Sequence, residues 1–142
     1  MTTLQQLIDQ KGRAIFAVGP DSPVIDAVRT MAENHVGALL VMQGDKLEGI
    51  ISERDYARKV VLKGRSSSDT PVRDIMTAPV VTAAPHASVN DAMRIMTEQR
   101  IRHLPIVSGA KVLGVVSIGD LVKSVIDEQR HQIEDLETYI RG

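Results

Sequence analysis

An internal repeat constrains this chain more than any other feature. Sliding the sequence along itself by 65 positions lays Asp26 on Asp91, Pro20 on Pro85, Val24 on Val89 and Ala27 on Ala92. The same offset carries Arg29 onto Arg94, Met31 onto Met96, Glu33 onto Glu98 and Leu39 onto Leu104. It continues without a gap through Gly44 and Gly109, Gly49 and Gly114, Ser52 and Ser117, and Asp55 and Asp120. So long a register marks a tandem duplication, each copy supplying one supersecondary unit. One copy of about 50 to 60 residues is marginal for a core of its own. The expectation is therefore two copies packed sheet to sheet about a pseudo-two-fold axis.

Each copy reads as β-α-β-β-α, a mixed α/β (α+β) pattern. A β-rich run (residues 15–18; 80–82) meets a turn containing Pro20 or Pro85. An amphipathic helix follows, with Val24, Ala27, Val28 and Met31 at helical spacing, matched by Val89, Ala92, Met93 and Met96. Ser22 and Ser88 are plausible caps at these helix starts. Two apolar strands come next, at 38–42 and 47–51 around Gly44-Asp45, and at 104–107 and 112–116 around Gly109. A closing helix begins near Asp55 or Asp120. The boundaries drawn are 1–62 for the first unit with its N-terminal helix, 63–78 for a linker, and 79–142 for the second unit with a long C-terminal helix. Residues 63–71, with a glycine, three serines and a proline, read as a surface loop.

The two ends are amphipathic. Residues 1–11 predict a short helix with Leu4, Leu7 and Ile8 on one side. From Leu121 to Gly142 one long helix is expected, on which Val122, Ile126, Gln129, Ile133, Leu136 and Ile140 alternate in steps of four and three. That is a heptad seam with one polar member. It fits a helix packed on its own domain or a homodimer contact, and the second is preferred.

Bulk properties exclude several functions. With 17 basic and 18 acidic residues the net charge is -1, so no global field draws in nucleic acid or an anionic membrane. One Phe, two Tyr and no Trp leave almost nothing for stacking nucleic-acid bases. There is no cysteine. No apolar run approaches the roughly 20 residues of a membrane span, and no signal-peptide core is seen, so the expected location is cytoplasmic. His35, His86, His103 and His131 are scattered without metal spacing, and no nucleophile elbow appears. No catalytic or metal-binding residue is therefore assigned.

The stretches Gly49-Ile-Ile-Ser52-Glu-Arg-Asp55 and Gly114-Val-Val-Ser117-Ile-Gly-Asp120 resemble the motif of CBS domains, two of which pair as a Bateman module. Val72-Arg-Asp-Ile-Met76-Thr and Arg102-His-Leu104-Pro105-Ile-Val share the resemblance, which spans roughly residues 12–126. It implies an adenine nucleotide in each of two clefts between the paired copies, and a stand-alone regulatory role, since the chain has no room for a catalytic barrel or membrane domain. The motif suits that chemistry. Glycine permits close backbone approach, serine at a helix start offers a hydroxyl beside free N–H groups, and aspartate can accept ribose hydroxyls. The alternative is that Ser52 and Ser117 merely cap helices, with Asp55 and Asp120 completing capping boxes.

The copies differ in ways that bear on the ligand. Arg54 stands where the second copy has Gly119, and Arg102 and His103 stand where the first has Gly37 and Ala38. The expectation is that Arg54, Arg102 and His103 converge on a phosphate. The plainer readings are a solvated arginine and a strand-end histidine. Thr82 replaces Ala17 and can reach a sugar or base edge, while Pro105 replaces Leu40 on the same wall. Adenine would pack on Val80, Val81, Ile101 and Ile118. AMP or NAD(H) is favoured, ADP and ATP fit the same description, and S-adenosylmethionine comes after them. The partners expected are a second copy of the chain and an effector protein of unknown identity. The rival function is a protein-interaction module with no small-molecule ligand.

Overall fold

The computed structural model describes residues 2–141. In chain order it contains α1 (Leu4–Lys11), β1 (Ala17–Val18), α2 (Val24–Asn34), β2 (Ala38–Gln43), β3 (Lys46–Ser52), α3 (Glu53–Tyr56), α4 (Val89–Gln99), β4 (His103–Ser108), β5 (Lys111–Ser117) and α5 (Ile118–Arg141). These form two units. The first is Ala14–Val81; the second joins Met1–Arg13 to Thr82–Gly142.

In the first unit β1 runs parallel to β2, with Ala17 opposite Leu40, and β2 pairs antiparallel with β3 from Ala38–Ser52 to Gln43–Lys46. The hairpin turns at Gly44, whose φ of 60° is the left-handed conformation that glycine adopts without strain. Val24, Ala27 and Met31 lie on one face of α2, as their spacing requires, and pack with Leu39, Val41 and Ile51 of the sheet. Val60, Val72 and Ile75 complete this core.

The last two of these residues correct the sequence reading of 63–78 as a linker. Val72 and Ile75 are fully buried, and Thr70 is only 3% exposed. Residues 66–71 are bonded to the start of α2, where Val24 N–H donates to the Thr70 carbonyl (2.8 Å) and Ile25 N–H to that of Ser67 (3.0 Å). Ser22 is not the cap expected of it. Pro23 occupies the N-cap position of α2 and makes no side-chain bond there, so the free amides take the loop carbonyls instead. In the second unit Ser88 caps α4 as expected, in a capping box with Asp91.

The second unit has the same antiparallel hairpin, β4 with β5, from His103–Ser117 to Ser108–Lys111. The strand expected at 80–82 is not formed; an isolated bridge between Ala83 and Ile106 stands in its place. Pro105 is the physical reason. In the first unit Leu40 N–H donates to the Phe16 carbonyl, and proline at the equivalent position has no N–H to give.

Helix α1 also departs from the boundary drawn by sequence, which placed it with the first repeat. Its bonds lie on the second: Leu4 N–H to the Ala87 carbonyl, Gln5 N–H to that of Pro85, and Val89 N–H to that of Thr2. Leu4 and Ile8 are fully buried there. Val72 and Arg73 make the matching bonds in the first unit, to Ser22 and Pro20. The segments 2–8 and 70–76 are thus structural equivalents, and each packs on the repeat it does not lead into.

Candidate functional site

Both Gly-x-x-Ser-x-x-Asp stretches sit where the second strand of a hairpin runs into a helix. In the first unit Ser52 ends β3 opposite Ala38, and Glu53 N–H donates to the Gly37 carbonyl (3.0 Å). Ser52 and Asp55 form a capping box: Asp55 N–H donates to Ser52 Oγ (3.2 Å), and Ser52 N–H to Asp55 Oδ2 (3.0 Å). The other oxygen, Oδ1, accepts from Thr77 Oγ1 (3.2 Å) and faces Lys59 Nζ at 3.2 Å. Lys59 is itself anchored by donating to the Ile75 carbonyl (2.9 Å). Both oxygens of Asp55 are thus taken, and its side chain is only 13% exposed.

The second motif repeats the box but not its surroundings. Ser117 lies opposite His103, and Ile118 N–H donates to the Arg102 carbonyl (2.9 Å). Ser117 N–H donates to Asp120 Oδ2 (2.8 Å), and Asp120 N–H to Ser117 Oγ (3.1 Å). The cation here is Lys11, from α1. It pairs with Asp120 Oδ2 and donates to the Val115 carbonyl (2.8 Å). Asp120 Oδ1 accepts no hydrogen bond among the described residues, and the side chain is 26% exposed. Partial burial pushes the Asp120 carboxyl up, but the Lys11 hydrogen bond and charge and the Ser117 N–H outweigh it and hold it below its ordinary range. The carboxylate is therefore ionised at neutral pH.

The capping geometry of the plainer reading is thus real in both copies, and it leaves the second aspartate the more open. In the same unit, Thr82 is exposed and precedes the Ala83 bridge, with Ala83 N–H bonded to the Pro105 carbonyl (3.0 Å). Arg102 is exposed and His103 half-buried. Leu104 is fully buried and Pro105 buried, so these two side chains build the wall and present little surface. Arg54 is exposed in the first unit, while Gly37 and Ala38 add no polar side chain. Val80 and Val81 of the first unit and Ile101 and Ile118 of the second are half-buried. Sequence reasoning missed Lys11, Lys59 and Thr77. Only Thr77 carried a signal, as the last residue of the quoted 72–77 stretch.

A groove between α2 and α3, lined by Val28, Met31, Ala32, Glu53 and Tyr56, is apolar with one carboxylate and offers a phosphate no cation. Among the described residues no group of three or more His, Asp or Glu side chains is placed to hold a metal, and no helix is long and apolar enough to cross a membrane.

Removing the Lys11 cation has a signed consequence. Asp120 has its carboxyl depressed in the folded state, so the stability it contributes is present above its unfolded pKa and lost as pH falls through the folded value. Lys11→Met is expected to cost about 1 kcal/mol or less at neutral pH, since both groups are partly solvated. The gap to the parent should close on acidification below the ordinary carboxylate range. Thermal melts between neutral pH and pH 3 check this; a gap that stays constant would mean the lysine acts only through packing of its stem.

The family model for the CBS domain matches residues 12–62 and 72–127. The CBS domain-containing protein CBSX3, mitochondrial, of Arabidopsis thaliana is 41% identical over 150 residues, covering 99% of this chain and 73% of its own length. A protein with CBS domains from Burkholderia ambifaria MC40-6 superimposes with a TM-score of 0.86 at 51% identity, over 90% of this chain and 96% of that one. The CBS domain pair of protein MJ0100, in complex with 5'-methylthioadenosine and S-adenosyl-L-methionine, has the same fold: TM-score 0.80 at 20% identity, over 90% and 98% of the two chains.

Proposed function

Because this chain belongs to the CBS-domain family and carries two CBS domains in tandem, we propose that it is a regulatory module that binds an adenine nucleotide and relays energy or redox state through a ligand-biased conformational change. The carrying observation is Asp120: an ionised, half-buried carboxylate one of whose oxygens accepts no hydrogen bond among the described residues, on the unit that also contains Thr82, Arg102 and His103. A ribose diol needs such an acceptor, and a phosphate needs a cation such as Arg102. Ser117 and Asp120 read the sugar, Thr82 the sugar or base edge, and Arg102 with His103 the phosphate. Ser52, Arg54 and Asp55 form the corresponding first motif, which is more fully occupied by its own chain. The adenosine ligands bound by MJ0100 support the ligand class, and AMP or NAD(H) remains the favoured identity. A homodimer, an effector protein that reads the occupied state, a regulatory and not catalytic role, and a cytoplasmic location belong to the same proposal.

A thermal-shift panel of AMP, ADP, ATP, NAD(H) and S-adenosylmethionine tests it. A ligand at 100 times its dissociation constant stabilises a folded protein by about 2.7 kcal/mol, a shift of several degrees at this size. Asp120→Ala is expected to abolish most of the shift and Asp55→Ala a smaller part. If no nucleotide moves the melting of the folded protein, the ligand-free interaction module is the correct reading.

A further inference from the structure

Helix α5 runs for 24 residues, but its own unit supports only the beginning. Leu121 is fully buried, whereas every residue from Gln129 to Arg141 is exposed. The exposed stretch from Gln129 to Arg141 is short enough to be marginal as an isolated helix in water, and a solvated one has no use for large aliphatic side chains in a row. Yet Ile133 is 57% exposed, Leu136 59% and Ile140 75%, and the row continues back through Ile126 at 43% and Val122 at 41%.

We propose that α5 pairs with the same helix of a second copy, parallel and in register, as a short two-stranded coiled coil from Val122 to Ile140. This deepens the homodimer part of the functional reading and is independent of the nucleotide part. Residue types argue for it first. Ile126, Ile133 and Ile140 fall on one seam row and Val122, Gln129 and Leu136 on the other, and β-branched residues at a with Leu at d favour two parallel strands. Gln129 fixes the direction. In a parallel, in-register pair it meets Gln129 of the partner subunit, and the two amides can satisfy one another. In the antiparallel pairing of equal length it lies against an isoleucine, leaving a buried amide unmatched in two layers. That alternative gains contacts between Lys123 and Glu137 but also sets Arg130 against Arg130. Pairing the exposed stripe buries on the order of 1,000 Å² in total, about the floor for a specific interface.

The chain contains no cysteine, so an introduced thiol is unique. Under mild oxidation Leu136→Cys is expected to form a disulfide-linked dimer, because position 136 faces its own counterpart only in the parallel register. Arg130→Cys is expected to stay uncross-linked, its side chains lying on opposite sides of a parallel seam but near each other in the antiparallel one. Ile133→Asp should weaken self-association at least 100-fold by analytical ultracentrifugation, with the melting of the dilute monomer unchanged because Ile133 is already solvated there. Cross-linking of Arg130→Cys instead of Leu136→Cys overturns the parallel arrangement. A parent protein that is monomeric, or a dimer that Ile133→Asp leaves intact, overturns the seam altogether. None of these readings depends on whether a nucleotide binds.

Discussion

Leu4→Ala is expected to lower folding stability by about 3 kcal/mol, although Leu4 precedes both repeats and belongs to neither. Its side chain is fully buried, as is that of Ile8 one turn on, and its N–H is tied to the Ala87 carbonyl at 2.9 Å. Truncation would remove the transfer energy of the isobutyl group and leave a hole beneath α1 that the anchored backbone cannot close. Leu62→Ala is the matched control. That leucine is 76% exposed, and such a surface change is expected to stay within about 0.5 kcal/mol. Urea unfolding of both variants at pH 7 makes the comparison. Equal costs would show that α1 is an appendage of the second unit and not part of its core.

The contrast reflects what a sequence can and cannot display. The hairpin predicted at 38–42 and 47–51 is found at 38–43 and 46–52, and the apolar faces of α2 and α4 bury the residues their spacing selected, Val24, Ala27, Met31 and Val89, Ala92, Met96. These features are written in side-chain periodicity, which is local. The repeat register holds even at the helix ends, where His35 and Arg100, 65 residues apart, both adopt left-handed φ values.

Backbone bonds between distant segments leave no such trace. Nothing in Ser67 or Thr70 announces that their carbonyls will cap α2, and a run of serines reads as solvent-facing until its partners are known. The equivalence of 2–8 with 70–76 has an offset of 68, so it falls outside the register that reveals the repeat. The candidate site shows the same division. Ser52, Asp55, Ser117 and Asp120 were legible because both copies carry them at one spacing. The lysines that charge-balance the aspartates were not, because Lys59 comes from the helix after the motif while Lys11 comes from α1. Two copies of one motif thus acquire different electrostatics from positions at which the copies differ: Lys59 stands where the second copy has Ser124, and Lys11 ends a helix that the 65-residue register does not include.

Gly49→Val is expected to cost about 3 kcal/mol, and to do so through the backbone that positions Asp55. A Cβ at Gly49 would lie 2.6 Å from Met76 Sδ and 3.0 Å from the Thr77 carbonyl oxygen. The methionine can swing aside. The carbonyl cannot, because Thr77 is bonded to Ile50 in both directions, at 2.8 and 3.1 Å, while its hydroxyl donates to Asp55 Oδ1. Glycine in this motif permits the close approach expected of it, but the backbone that approaches is the chain's own. At the equivalent Gly114 the nearest atoms are those of the Ile8 side chain, at 3.2 Å, which is fully buried but need give only by a few tenths of an ångström. Gly49→Ala should therefore destabilise more than Gly114→Ala, the latter by on the order of 1 kcal/mol. Urea melts of the two alanine variants decide the point. If Gly114→Ala proves the more damaging, then the second motif depends on the packing of α1 more tightly than the first depends on Thr77, and Lys11 would be the residue whose displacement carries the damage to Asp120.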